Sequence, residues 1–128
     1  MISIITGEGG SGGALGVSMG NIVMLLQYSV YSVISPEGCA SILWRDAGMS
    51  LEAAENLRIT APQLIELGII DDVIPEPMGG AHNDYETSSK NVKEAIIKHL
   101  TNLKKMSSDE IVEDRYQKFR KMGQFEGA

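Results

Sequence analysis

Between positions 7 and 13 the chain reads Gly7-Glu8-Gly9-Gly10-Ser11-Gly12-Gly13, five glycines in seven positions. Glycine buries almost nothing and loses more backbone freedom on folding than any other residue, so packing alone does not explain that density. The stretch follows an apolar, β-branched run, Ile2-Ser3-Ile4-Ile5-Thr6, and precedes small residues, Ala14-Leu15-Gly16-Val17-Ser18-Met19-Gly20. That order predicts a strand, a sharp glycine turn and a short helix. Such a turn lets the main chain approach another group closely, with amide N–H groups at the helix start pointing outward. An anion or oxyanion site is the expectation.

The rest of the chain extends an α/β pattern. Ile2 to Thr6 reads as a buried parallel strand, and residues 12–20 make about two helical turns. Gly16, Ser18 and Gly20 are expected to bring that helix close to the sheet. Ile22 to Leu26 is a second buried strand and Tyr31 to Ser35 a third. Ser35-Pro36-Glu37 opens a helix with a hydroxyl cap, a first-turn proline and a carboxylate, running through Trp44. Ser50 is expected to cap the next helix, which carries Leu51, Ala53, Ala54 and Leu57. Thr60-Ala61-Pro62-Gln63 is a capping-box pattern for a short helix that Gly68 ends. Ile69 to Ile74 is an edge-type strand, stopped by Pro75 and Pro77.

Residues 79–84 form a loop. Val92, Ile96, Leu100 and Leu103 then recur at helical spacing over roughly five turns. Ser107-Ser108-Asp109-Glu110 is a capping box for a last helix with Val112, Tyr116 and Phe119 on one side. The front of the chain is too small to cover both apolar stripes, so a partner surface is expected. A parallel strand at the first residues, with few strand candidates after it, also implies completion of the sheet by another chain or by more of a longer protein.

Charge is divided unevenly. Up to residue 85 there are ten acidic residues against Arg45 and Arg58; from Glu86 onward nine basic residues face seven acidic ones. The net charge of −6 and the interleaving of those basic residues with acids argue against a nucleic-acid footprint. A single cysteine, Cys39, excludes an intrachain disulfide framework and points to a reducing compartment. No apolar run reaches the roughly 20 residues of a membrane span. Asp71 and Asp72 point to opposite faces of a strand and make no metal site. Cys39 reads as a small core residue and Glu37 as a helix cap.

Two motif matches in the glycine stretch fail on context. Gly7-x-Gly9-x-x-Gly12 has the dinucleotide pattern, but the helix is too short and no acid ends the second strand to hold a ribose. Gly9-Gly10-Ser11-Gly12-Gly13 has the nucleophile-elbow pattern. Its base would be His82, because His99 lies in the tail helix and reads as a surface residue. The third reading uses the backbone alone: adjacent glycines offer two N–H donors to an oxyanion where a side chain would obstruct it.

These residues resemble a known family. Gly7 to Leu15, Tyr31 to Trp44, Ile69 to His82 and Arg115 to Arg120 are similar to successive blocks of the carboxyltransferase α-subunit family of bacterial and plastid acetyl-coenzyme A carboxylase. The resemblance implies a crotonase-like (ClpP/crotonase) α/β fold. Residues 1–85 would be the C-terminal part of its core, with ββα units, and residues 86–128 a two-helix extension packing on the core or on a partner subunit. It implies transfer of a carboxyl group from carboxybiotin, borne by a biotin carboxyl carrier protein, to acetyl-CoA, giving malonyl-CoA for fatty acid synthesis in the cytoplasm. The implied partners are a β subunit, in an α2β2 tetramer, and biotin carboxylase.

By the same resemblance, the backbone amides of Gly12 and Gly13 form an oxyanion hole, and Gly9, Gly10, Ser11 and Tyr31 contribute to the biotin-binding side. The oxyanion is the ureido oxygen of biotin or, alternatively, the acyl thioester. No metal is implied in this chain. Tyr28 and Tyr31 either line the site or pack the sheet, and His82 either meets another subunit or lies in a plain loop. Family members are far longer, so the isolated chain is expected to be inactive or an assembly piece. A crotonase-type hydratase or isomerase is the remaining alternative, with Glu8 as its nearby carboxylate.

Overall fold

The computed structural model describes residues 1–123; the final positions of the extension expected through residue 128 lie outside them. Strands β1 (Ile2–Ile5), β3 (Ile22–Leu26) and β5 (Asp72–Ile74) form a parallel sheet in the order β1-β3-β5. Two further strands, β2 (Glu8–Gly10) and β4 (Val30–Ser32), pair in parallel as a separate small sheet. Helices α1 (Ser11–Val17) and α2 (Pro36–Leu43) follow β2 and β4, so the chain runs strand, strand, helix twice in succession. Helices α3 (Ser50–Leu57), α4 (Ala61–Glu66), α5 (Tyr85–Leu103) and α6 (Ser108–Arg120) complete the fold.

The central strand shows why a continuous aliphatic run is needed. β3 is covered on both faces, and alternate side chains enter different cores. Val23 and Leu25 join Ile5, Ala14, Tyr31, Ala61, Leu64 and Ile70 on the side of α1 and α4. Met24 and Leu26 join Ile74 on the other side, against Val92, Ala95 and Ile96 of α5. The helix spacing read from the tail therefore puts Val92 and Ile96 onto the sheet.

Several local expectations hold in detail. The Ser35 hydroxyl accepts the Gly38 N–H and Pro36 begins α2. Gln63 Oε1 accepts from the Thr60 backbone at 3.3 Å and from its hydroxyl at 2.8 Å, closing the start of α4. Gly68, at φ +69°, follows that helix. Ser107 and Glu110 form the reciprocal box at α6.

Others are corrected. The glycine stretch is not one continuous turn: Glu8–Gly10 is strand, and the break from β1 lies at Thr6–Gly7. The third strand ends at Ser32, because Ser32 bonds Ile34 and Ser35 is committed to capping α2. Ser50 does not cap α3. Asp46 caps a 3-10 turn, Ala47–Met49, by accepting the Gly48 N–H at 2.8 Å, and α3 continues directly from it. Close approach after α1 occurs at Gly20, where a Cβ would lie 2.8 Å from the Ile22 carbonyl; Gly16 faces open space.

The last helix differs in phase. Val112 and Tyr116 are more than half exposed, while Ile111, Arg115, Lys118 and Phe119 turn inward. Polar anchors set that rotation. The Asn21 side-chain amide donates to the Ile111 carbonyl at 2.7 Å, and Lys118 reaches the Asn21 carbonyl and the Asp71 carboxylate. Among the described residues no helix is long and apolar enough to cross a membrane.

Candidate functional site

The glycine stretch separates into two parts with different reasons for being glycine. At Gly9 a Cβ would sit 2.9 Å from Tyr31 Cδ2 and 3.2 Å from Ile5 Cγ2, so the neighbouring strands exclude any side chain. At Gly12 and Gly13 a Cβ would meet nothing within 4 Å, and both residues are exposed. The fold of this chain makes no demand for glycine at these two positions. Their amides fall in the first turn of α1, where an N–H has no carbonyl four residues back within the helix.

The turn into α1 is made by Gly10, in an extended conformation, and Ser11, at φ +58°. A positive φ at a residue with a Cβ is uncommon, and here it swings the chain from β2 into the helix. Gly9, Gly10 and Ser11 line a cavity of about 350 Å³ together with Glu8, Ser32 and Ser35. Tyr31 lies beneath this wall rather than in it. It is 7% exposed, and its hydroxyl donates to the Ala14 carbonyl at 2.7 Å. Three sequence-derived site residues, Gly9, Gly10 and Ser11, thus line one cavity, while Tyr31 is buried and Gly12 and Gly13 are exposed outside that lining.

Ser11 and His82 are not brought to a common cavity. His82 faces a second cavity of about 730 Å³, beyond the carboxyl ends of β1 and β3, with Thr6, Tyr28, Glu76 and Tyr85. Glu76 shapes that cavity. One of its oxygens accepts the Tyr28 N–H at 2.7 Å and the other the Ala81 N–H at 2.9 Å, tying the loop after β5 to the turn after β3. Tyr28 is exposed there and does not pack the sheet.

His99 is not a surface residue. Its side chain is 12% exposed and its Nε2 lies 2.7 Å from Asp72 Oδ2. Lys98 donates to the same oxygen. Partial burial raises the Asp72 pKa, but the Lys98 and His99 hydrogen bonds, the Lys98 charge and the Val73 N–H together hold it below its ordinary value. Spacing gave Lys98 and His99 adjacent places on a helix; their shared partner came from β5, which no local pattern indicates. Asp71, pointing the other way, accepts the Val23 N–H and binds Lys118. Among the described residues, no three His, Cys, Asp or Glu side chains are grouped to hold a metal ion.

Consecutive exposed amides at a helix start, after a strand of a parallel α/β core, can donate to any group that presents an acceptor oxygen. Comparison with known proteins narrows this. The family described as acetyl co-enzyme A carboxylase carboxyltransferase-like matches residues 1–123. A Geobacter metallireducens protein named acetyl-coenzyme A carboxylase carboxyl transferase subunit alpha is 57% identical over 125 residues, 98% of this chain and 39% of that protein. Proteins of the same name from Staphylococcus carnosus and Hydrogenovibrio crunogenus are 54% and 50% identical, over 98% and 100% of this chain and 40% of each relative. The chain belongs to the acetyl-coenzyme A carboxylase carboxyltransferase family. It spans about two-fifths of the length of these relatives.

Proposed function

We propose that this chain supplies the α-side oxyanion hole of an acetyl-CoA carboxyltransferase that converts acetyl-CoA to malonyl-CoA. The carrying observation is the contrast within the glycine stretch: Gly9 is glycine because Tyr31 and Ile5 crowd it, whereas Gly12 and Gly13 have open space. A bare backbone at an uncrowded, exposed position is explained by a group that approaches from outside. Two consecutive first-turn N–H groups then donate to an oxygen on which negative charge develops. A Cβ at either glycine would hold that oxygen away.

Family membership supports carboxybiotin as the donor, and the residues present fit it as a carried group. The cavity of about 350 Å³ beside Gly9, Gly10 and Ser11 is bounded by glycine backbone and serines together with Glu8 and the apolar Val30, Ile34, Pro36 and Ile59. Biotin, on a separate biotin carboxyl carrier protein, supplies the activated carboxyl group. Gly10 and Ser11 shape the wall, Tyr31 supports it, and the Gly12 and Gly13 amides stabilise the ureido-type oxygen. The acyl thioester oxygen is the alternative recipient. Ser11 lines the wall and needs no base, consistent with its separation from the His82 cavity.

The repeated strand-strand-helix order, β1β2α1 followed by β3β4α2, supports a crotonase-like core over residues 1–85 with a helical extension from residue 86. The reading includes a cytoplasmic complex with a β subunit, as α2β2, and with biotin carboxylase. A β subunit would contribute the opposing wall.

The test is Gly12→Val and Gly13→Val in a full-length subunit assembled with its β subunit. Transfer in the reverse direction, from malonyl-CoA to biocytin, is expected to fall by roughly 100-fold or more, with assembly unchanged by size-exclusion chromatography. Wild-type turnover in both variants would remove the oxyanion assignment.

A further inference from the structure

We infer that Tyr31 is a positioning residue that sets the aim of the Gly12 and Gly13 amides without touching substrate; this rests on the oxyanion reading above. One buried side chain contacts the segment on both sides of those amides. Its ring lies against Gly9, so closely that a Cβ at Gly9 would stand 2.9 Å from Cδ2. Its hydroxyl donates to the Ala14 carbonyl at 2.7 Å. Residues 10–13 therefore form a short arch whose two feet, Gly9 and Ala14, rest on the same phenol.

The support is itself rigid. Tyr31 is directly opposite Gly9 in the β2–β4 register, and its backbone N–H donates to the Ile59 carbonyl at 3.0 Å. The Val30 N–H donates to Gly7 at 2.9 Å, fixing the chain just ahead of Gly9. Ala14 is 2% exposed and packs in the same core cluster as Tyr31 and Ile5. The arch between the feet carries the positive φ of Ser11, a conformation that persists only where its surroundings determine it.

Satisfaction of the Ala14 carbonyl does not require the phenol, because that oxygen also accepts the Ser18 N–H at 3.0 Å. A phenylalanine would fill the same apolar volume without bringing a hydroxyl into the core. The hydroxyl adds a fixed distance between β4 and the first turn of α1. Donors must be held in place before charge develops if they are to lower a barrier, and a shift at Ala14 is transmitted directly to Gly13.

The test is Tyr31→Phe in the full-length subunit assembled with its β subunit, assayed for transfer from malonyl-CoA to biocytin. The expected result is a kcat lower by roughly 3- to 10-fold, the weight of one neutral hydrogen bond felt at the transition state. KM for both substrates should be unchanged. Gly9→Ala, which displaces the ring from the other foot, should show the same kcat-selective defect. A merely structural Tyr31 would lower the melting midpoint while leaving kcat per assembled enzyme at the wild-type value, and that result would overturn the inference. So would an effect confined to KM. If Gly12→Val and Gly13→Val abolish transfer while Tyr31→Phe and Gly9→Ala keep full kcat, only this inference falls. Full activity in the two valine variants removes the oxyanion reading, and the inference with it.

Discussion

The central strand and the last helix are held by opposite kinds of contact. β3 is fixed by aliphatic side chains alternating into two cores, with Val23, Met24 and Leu25 at most 1% exposed. α6 is fixed at its two ends by polar groups. Asn21, just ahead of β3, holds the Ile111 carbonyl, and Asp71, just ahead of β5, holds Lys118. Apolar burial tolerates any well-filled arrangement, whereas a hydrogen bond fixes one rotation of a helix. The sheet is thus specified by periodicity, and the docking of α6 by particular atoms.

The largest effect expected is at the strand. Leu25→Ala empties a fully buried position between Ile5, Tyr31 and Leu64. It should cost about 2–5 kcal/mol in urea unfolding. A loss below about 1 kcal/mol would mean that the core beside β3 is not close-packed and would blur the contrast. Asn21→Ala comes next, at about 1–3 kcal/mol, because Asn21 is 2% exposed and is the side-chain partner of Ile111. Its distinguishing mark is location: hydrogen exchange should rise in α6 before it rises in β3. Uniform acceleration through both would show that α6 is no separate unit.

The same division explains what was legible in the sequence. Ile22 to Leu26, the Ser35-Pro36 start, the Thr60 and Ser107 boxes and the Gly68 stop carry their structural reason within a few neighbouring residues. β2 had no such signal, since Glu8-Gly9-Gly10 has almost no side chains with which to show a two-residue period. The phase of α6 depended on Asn21 and Asp71, and the environment of His99 on Asp72, all distant along the chain. In the site, five glycines were visible but equivalent. The positions of Tyr31 and Ile5 distinguish crowded Gly9 from open Gly12 and Gly13.

Asp72 tests the polar side of the comparison through pH. Its folded pKa lies below the ordinary 3.8 because Lys98 and His99 hydrogen bonds and the Lys98 charge outweigh the opposing burial. A carboxylate with a depressed folded pKa binds fewer protons in the native chain than in the unfolded one. Its contribution is therefore complete above the unfolded value and disappears as pH falls through the folded value. Asp72→Asn should lose roughly 1 kcal/mol at neutral pH and converge with the unsubstituted chain in acid. Urea titrations between about pH 2 and pH 6 measure this. Parallel curves across that range would remove Asp72 as a clasp for α5.

The smallest expected effect decides whether the polar account of α6 is sufficient. Val112 and Tyr116 are the residues that helical spacing would turn inward, yet they are 57% and 56% exposed. If Asn21 and Asp71 set the rotation, Val112→Ser and Tyr116→Ser should each change stability by less than about 0.5 kcal/mol. Phe119→Ala, on the inward side, should cost measurably more. Should the order be reversed, α6 would be rotated so that its apolar stripe lies inward, and Asn21 and Lys118 would be followers of apolar packing rather than its guide. Equal and small losses at all three positions would instead assign nearly all the docking energy to the polar ends.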